Sequence, residues 1–440
     1  MAAAAPRTLR VRIPRALLAP GPGGPAAQLP CGDSEGLLAV ELTLDSTGRS
    51  IAVIQPLPEW ADALPLALPP LVEPHAHLDK AFSWRAFANP GGVMEAALAA
   101  NGREAAERTA AVVLTRGERA LEQAWRYGLR AIRSHVDSGG PQEQPSWEAL
   151  QELQRRWHGR LELQLCALVP LAHWSTPAGA TLAQRLANKG GLLGCVLGPP
   201  FREGYRHRDQ LRRLLDLAEH HGLAIDLHID ESDDQPGRGM ALLLRELRRT
   251  PVSVPITCSH SSSLSLLPVA SQRRLAAGLA SHGISVVAMP TTNLWLLGRG
   301  RKASAAVRPL APVRLLQQEG VAVAIGGDNV QDPWYPGGDF DPIELLRLAL
   351  PTLQLAPWQR QGLMPFSTTP ARLLNLAWDG VLRPGAPADL IVLGADGWSE
   401  LLARPPQRRV LRAGRWLPPP PTQQPDPRLA SLEPMPLPPR

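Results

Sequence analysis

Lysine is nearly missing from this chain: of 46 basic residues only Lys80, Lys189 and Lys302 are lysines, and the arginines are spread over all 440 positions. The formal charge of +6 therefore gathers into no dense basic run. That speaks against a nucleic-acid-binding face, which needs a concentrated stripe or patch. Cysteine is scarce as well. Cys31, Cys166, Cys195 and Cys258 form no C-x-x-C pair, which removes zinc ribbons and redox motifs. Three of them sit in apolar strand-like runs, where a buried free thiol is expected, as in a reducing compartment. Aromatic residues make up 5% of the chain, so Leu, Val and Ala must fill its core. No apolar run reaches the roughly 20 residues of a membrane span. The opening MAAAAPRTLRVRIPRALLAP lacks the continuous apolar segment of a secretory leader, and its LRVRIPRALL reads as an early strand. These absences together point to a cytoplasmic protein with no nucleic-acid or membrane partner.

What is present divides into four parts. Residues 1–68 show short alternating runs (LRVRI, LLAVELTLD, SIAVIQPL) between Gly- and Pro-rich turns, the pattern of small antiparallel strands. Residues 376–417 return to that pattern in VLRPGAPADLIVLGADG and RRVLRAGRWL, and the two segments are expected to pair as a small β-sandwich. Residues 418–440 are Pro-rich and expected to be disordered. Between them, over 69–375, eight short apolar runs alternate with amphipathic helical segments: PLVEPHAH, GLRAIRSHVD, LELQLCALV, GLLGCVLG, LAIDLHID, VPITCSH, GISVVAMP and VAVAIGGD. Eight βα units are what a closed α/β barrel of the (β/α)8 TIM-like class requires. No G-x-G-x-x-G follows any of the runs, which argues against a dinucleotide fold.

The polar residues fall at the ends of these runs, the barrel face where catalytic groups collect. The first run ends in His75 and His77, which alternation places on one side of the strand. The second ends at His135 and Asp137 with the same spacing. The fifth ends at His228, Asp230 and Glu231, the sixth at His260 and the eighth at Asp328. Five of eleven histidines thus converge on one mouth, against the ordinary expectation of scattered core or surface imidazoles. Three imidazoles with a carboxylate suit Zn²⁺ or Fe²⁺, with Mn²⁺ or Co²⁺ as further choices, since ligand type alone does not separate them. Two-metal barrels of this geometry bridge their ions with a modified lysine at the end of the fourth strand. That strand has none here, and Lys189 precedes it, so one metal per chain is expected.

PLVEPHAHLDK, IDLHIDESDD, CSHSSSLS and GGDNVQDPWYPGG, in that order, resemble the cytosine deaminase branch of the amidohydrolase superfamily. The likeness covers the whole barrel, and LRPGAPADLIVL is similar to the family's closing segment. It implies that His75, His77, His228 and Asp328 bind the metal, that His260 hydrogen-bonds the water on it, and that Glu231 shuttles protons. It also implies hydrolytic release of ammonia from a cyclic amidine. A divalent metal brings the pKa of its water to about 7, Asp328 can take the proton of that water, and Glu231 can protonate ring nitrogen and leaving amine. Trp334 would wall the pocket or else pack beneath its Pro-rich loop. His135 and Asp137 would line the site or support the ligands. Lys80 would meet a substrate oxygen or else form a surface salt bridge, and Asn293 has a weaker claim of that kind.

Two positions depart from the family's pattern. The glutamine that grips the pyrimidine edge is replaced by Leu171, and the second aspartate beside the metal carboxylate is Asn329. An apolar group leaves the pyrimidine edge unpaired, so a different aminated heterocycle or a cyclic amide is expected as substrate. The other nucleobase-deaminase plan, H-x-E with P-C-x-x-C on a small α/β fold, is absent. Two further readings stay open: a hydrolase that opens a cyclic amide or imide, and a catalytically silent metal-binding scaffold. Glu231 and His260, which a closed structural site does not need, speak against the scaffold. Barrels of this kind often form homo-oligomers, though no segment marks an interface.

Overall fold

The computed structural model describes residues 8–19, 29–58, 63–201, 206–299 and 308–420; most of the Pro-rich tail lies outside them. Four short strands come first: β1 (Thr8–Pro14), β2 (Leu37–Leu44), β3 (Ile51–Pro56) and β4 (Leu66–Leu68). Then follow β5 (Leu71–Ala76), β6 (Leu129–Asp137), β7 (Glu162–Pro170), β8 (Leu192–Leu197), β9 (Ile225–Ile229), β10 (Ile256–His260), β11 (Ser285–Ala288) and β12 (Val323–Ile325). These eight pair in chain order as one parallel sheet. A parallel bridge between Ala76 and Asp328, with Asp328 N–H donating to the His75 carbonyl at 3.0 Å, draws its two edges together. The architecture is a TIM-like (β/α)8 barrel. Its strands correspond one for one to the eight apolar runs.

Burial on both faces explains why neighbouring positions in those runs are apolar, as in Leu192-Leu193 and Val286-Val287. β5, β9 and β10 are buried at every position. The connecting helices show their boundary chemistry. The Ala110–Tyr127 helix starts at Thr109, whose hydroxyl accepts from Val112 N–H, and buries Val113, Ala120, Leu121 and Ala124 on one face. It stops at Gly128, where φ is +102° and Ile391 leaves no room for a Cβ. That turn delivers the chain directly into β6.

The late strands β13 (Leu390–Leu393), β14 (Arg408–Arg412) and β15 (Arg415–Trp416) return to the N-terminal ones. Together they form one seven-stranded sheet in the order β15-β14-β13-β4-β1-β2-β3. Strand alternation divides its two faces. Ile391 and Leu393 pack with the barrel core, whereas Leu390 joins Val11, Val40, Leu42 and Leu411 in a separate core. β4 runs through Pro69 and Pro70 straight into β5, which ties the two sheets together.

Opposite the mouth, the short Thr368–Leu373 helix closes the barrel floor. Its last carbonyls are met from inside: Arg133 Nη2 donates to Leu373 O at 2.7 Å and Gln164 Nε2 to Leu374 O at 2.6 Å. Among the described residues, no helix is long and apolar enough to cross a membrane.

Candidate active site

Strand ends set the site. The chain leaves β9, β10 and β12 through left-handed backbone at Asp230 (φ 54°), His260 (68°), Ser261 (51°) and Asp328 (64°). Such turns hold polar side chains over the mouth instead of letting them alternate outward. His75, His77, His228 and Asp328 are all buried there.

Their donor atoms converge. His75 Nε2 lies 3.2 Å from His228 Nε2, which lies 3.5 Å from His77 Nε2. Asp328 Oδ1 is 3.3 Å from His77 Nε2 and 3.7 Å from His75 Nε2. Both oxygens of Asp328 are buried, and among the described residues neither has a well-aligned hydrogen-bond donor. Buried carboxylate oxygens normally have partners. Ligands about 2.0–2.1 Å from a shared tetrahedral ion stand about 3.3 Å apart, which is the spacing found among these atoms. Burial, followed by the neighbouring imidazoles, pulls the pKa of His75 and of His228 well below the ordinary histidine value. Neutral imidazole is the form that binds a metal. The residues therefore fit a divalent cation, and the buried His/Asp cluster is read as a divalent metal site.

His75 is aimed from behind. Its Nδ1 donates to Ser259 Oγ at 2.9 Å, Ser259 Oγ donates to Asp226 Oδ1 at 2.6 Å, and Asp226 Oδ2 accepts from Arg133 Nη1 at 2.8 Å. The chain of contacts runs from the mouth down to the floor helix. Such partners set which ring nitrogen is free and orient the ring. His135 stacks on His75 at 3.8 Å between centroids, with Nε2 3.6 Å from Asp226 Oδ1. Sequence reading passed over Asp226, Ser259 and Arg133. Two of them had a visible signal: Arg133 and Asp226 precede His135 and His228 by two positions, so alternation turns them into the same interior.

Beside the converging nitrogens stand Glu231 and His260, with His260 Nδ1 3.4 Å from Glu231 Oε1. Asn293 reaches both, its Nδ2 lying 3.1 Å from His260 Nδ1 and 3.5 Å from Glu231 Oε1. Burial, and then the charge of Asp328, pushes the Glu231 carboxyl well above its usual range. Burial also pulls His260 down to about 4. A group that holds a proton next to one that does not is an arrangement suited to proton transfer.

The remaining residues singled out by sequence take varied places. Lys80 is buried, and its Nζ binds Asp137 Oδ1 at 2.7 Å. Asn329 donates to Asp332 Oδ2 at 2.8 Å, and Asp332 Oδ1 in turn accepts from Trp334 N–H, holding the loop after β12. Trp334 packs with Met94, Ala97, Trp295, Leu296 and Leu297 in an apolar cluster. Leu171 is buried in the turn following β7. Lys189 ends an outer helix and binds Gln151, away from the mouth. Glu73 was missed as well. Its carboxyl accepts from His75 N–H and Gly327 N–H across the seam where the barrel closes, and burial raises its pKa to about 8.

Known proteins resemble this chain over most of its length. A family model described as amidohydrolase family matches residues 88–416. A pterin deaminase of Rhizobium rhizogenes is 34% identical over 356 residues, 79% of each protein. A solved 5-methylcytosine deaminase from Klebsiella pneumoniae, liganded with 5-fluorocytosine, is 25% identical with a TM-score of 0.77, covering 94% of this chain and 97% of that one. N-isopropylammelide isopropylaminohydrolase from Burkholderia multivorans shares the fold at 23% identity and a TM-score of 0.70, over 93% of this chain and 98% of that one. With its barrel, its buried His/Asp cluster and these matches, the chain belongs to the amidohydrolase family, on the cytosine deaminase-like branch.

Proposed function

We propose that this protein is a metal-dependent deaminase that hydrolyses the exocyclic C–N bond of an aminated heterocycle, with a pterin-like ring as the first substrate to test. The observation that carries the reading is the Glu231–His260 pair, 3.4 Å apart and next to His75 and Asp328. A structural metal site needs neither residue. The 34% identity to a pterin deaminase supports the ring class, and Leu171, in place of an edge-gripping amide, supports a ring other than cytosine.

His75, His77, His228 and Asp328 would hold one divalent ion, Zn²⁺ or Fe²⁺ by ligand type, with Mn²⁺ and Co²⁺ also compatible. When bound, such an ion lowers the pKa of a coordinated water to about 7 and polarises the bond under attack. Asp328 accepts a proton from the attacking water through an otherwise unpartnered oxygen. His260 Nε2, also unpartnered, orients the nucleophile. Glu231 gives its proton to the ring nitrogen and then passes one to the exocyclic amine. The new C–O bond replaces the broken C–N bond; of the two protons the water loses, one stays on the ring nitrogen and the other leaves on ammonia, so Asp328 and Glu231 end as they began.

The test is ammonia release from pterin, aminated pyrimidines and aminated triazines, using protein loaded separately with Zn²⁺, Fe²⁺ and Mn²⁺. Glu231→Gln is expected to lower kcat by about 10²- to 10⁴-fold while leaving metal content unchanged. No ammonia from any ring in metal-loaded protein would overturn the proposal.

A further inference from the structure

Asn293 occupies a position that the roles assigned above do not explain. It lies in the short Pro290–Leu296 helix after β11, fully buried, and does not belong to the ligand cluster. Its Nδ2 faces two atoms at once, His260 Nδ1 and Glu231 Oε1, and these stand 3.4 Å from each other.

The hydrogens must be shared out among these three atoms. A primary amide nitrogen carries two N–H donors and accepts nothing. A carboxyl oxygen such as Glu231 Oε1 accepts in either protonation state. If His260 carried its proton on Nδ1, that N–H would point at the amide N–H groups, donor against donor. Turned over, Asn293 Oδ1 would accept from an Nδ1–H of His260 and from the protonated Glu231 carboxyl, which would tie up the proton that Glu231 is to give the ring nitrogen. With Nδ2 toward both atoms, one amide hydrogen falls on His260 Nδ1 and the other on Glu231 Oε1, and the Glu231 proton stays free for the substrate. The imidazole proton then sits on Nε2, the ring nitrogen that is buried and has no partner. A ring nitrogen of His260 also lies within 4.8 Å of both an Asp328 oxygen and a His75 nitrogen.

We infer that Asn293 is a positioning residue: its amide bridges His260 and Glu231, holds His260 as the Nε2–H tautomer, and so turns a single donor toward the reacting centre. The inference rests on the deaminase reading for its purpose and for the choice of amide orientation. A lone N–H aimed at the nucleophile matters because catalytic donors work when aimed before the reaction begins.

The experiment is ¹⁵N NMR of full-length protein labelled at histidine ring nitrogens, metal-free and Zn²⁺-loaded, with His260→Gln used to assign the signals. The expected spectrum shows His260 as the Nε2–H tautomer in both states. Asn293→Asp, which presents an acceptor, is expected to move the proton to Nδ1. Asn293→Gln, which keeps the amide, provides the conservative comparison. In ammonia release from pterin, Asn293→Asp is expected to lower kcat about 10- to 100-fold, with KM changed less than threefold and metal content unchanged. An Nδ1–H tautomer in the wild type, or an unmoved proton in Asn293→Asp, would overturn the inference. A wild type silent toward pterin would count against the substrate reading, and the tautomer result would still decide the role of Asn293.

Discussion

The barrel mouth holds two buried polar clusters within a few residues of each other, and they are built in opposite ways. Around Arg108 every charged group is paired, and Asp79 Oδ1 is the one buried oxygen among them left without a partner. Arg108 Nη1 binds Asp79 at 2.8 Å, its Nε binds Glu104 at 3.0 Å, and its Nη2 reaches Asp137 at 3.2 Å, where Lys80 also binds. Arg116 meets the other oxygen of Glu104. Around Asp328 the reverse holds: both carboxylate oxygens, His77 Nδ1, His228 Nδ1 and His260 Nε2 are buried without partners. The first cluster is closed and ties the Met94–Glu107 helix to β5 and β6. The second is open and complete only with something added. Polarity and burial alike fail to separate them; the number of buried polar atoms without a partner does, one among the residues named for the first and five for the second.

That contrast can be broken from either side. The largest effect is expected from His228→Ala, which removes a proposed ligand from the open cluster. Metal content per folded chain should fall to background, while the metal-free variant melts no lower than metal-free wild type, because a buried unpartnered group has been deleted. One metal per chain retained in atomic absorption would refute the ligand assignment. Next in size is Arg108→Met in the closed cluster. It strands Asp79 and Glu104 without their shared cation and is expected to cost about 3–5 kcal/mol in denaturant unfolding. The folded fraction should still bind metal as tightly as wild type, and a loss below about 1 kcal/mol would show that the network is not structural. Smallest is Ser259→Ala, which cuts the contact from His75 to Asp226. Metal affinity by chelator competition should drop about 10- to 100-fold with little change in melting temperature, and an unchanged affinity would remove Ser259 from the support of the site.

The sequence carried a good deal of this. The barrel strands are rich in apolar residues because they are buried between the barrel interior and the outer helices, a property read locally. The ligand candidates were legible because H-x-H and the other strand-end residues need only strand periodicity and the rule that one end of the barrel is the functional one. Harder to read was the choice of partners across strands. Lys80 could be placed near the mouth, but its union with Asp137 on β6 depends on inter-strand register. Asn293 was visible as a polar residue after the seventh run. Its contact with His260 and Glu231 depends on a left-handed turn at His260 that no pattern announces. Glu73 was hidden for a similar reason, since its partner at Gly327 exists only where the barrel closes.

The left-handed turns at Asp230, His260, Ser261 and Asp328 have a consequence for how this protein can change. Side chains in that conformation cost about 1–2 kcal/mol each relative to ordinary backbone, and glycine would escape most of that cost. Selection for robustness alone would therefore erode these positions first, and His260 and Asp328 are among those on which the proposed chemistry depends. Thermal hardening by directed evolution without an activity screen should drift toward a sturdier barrel that has lost its catalytic rim.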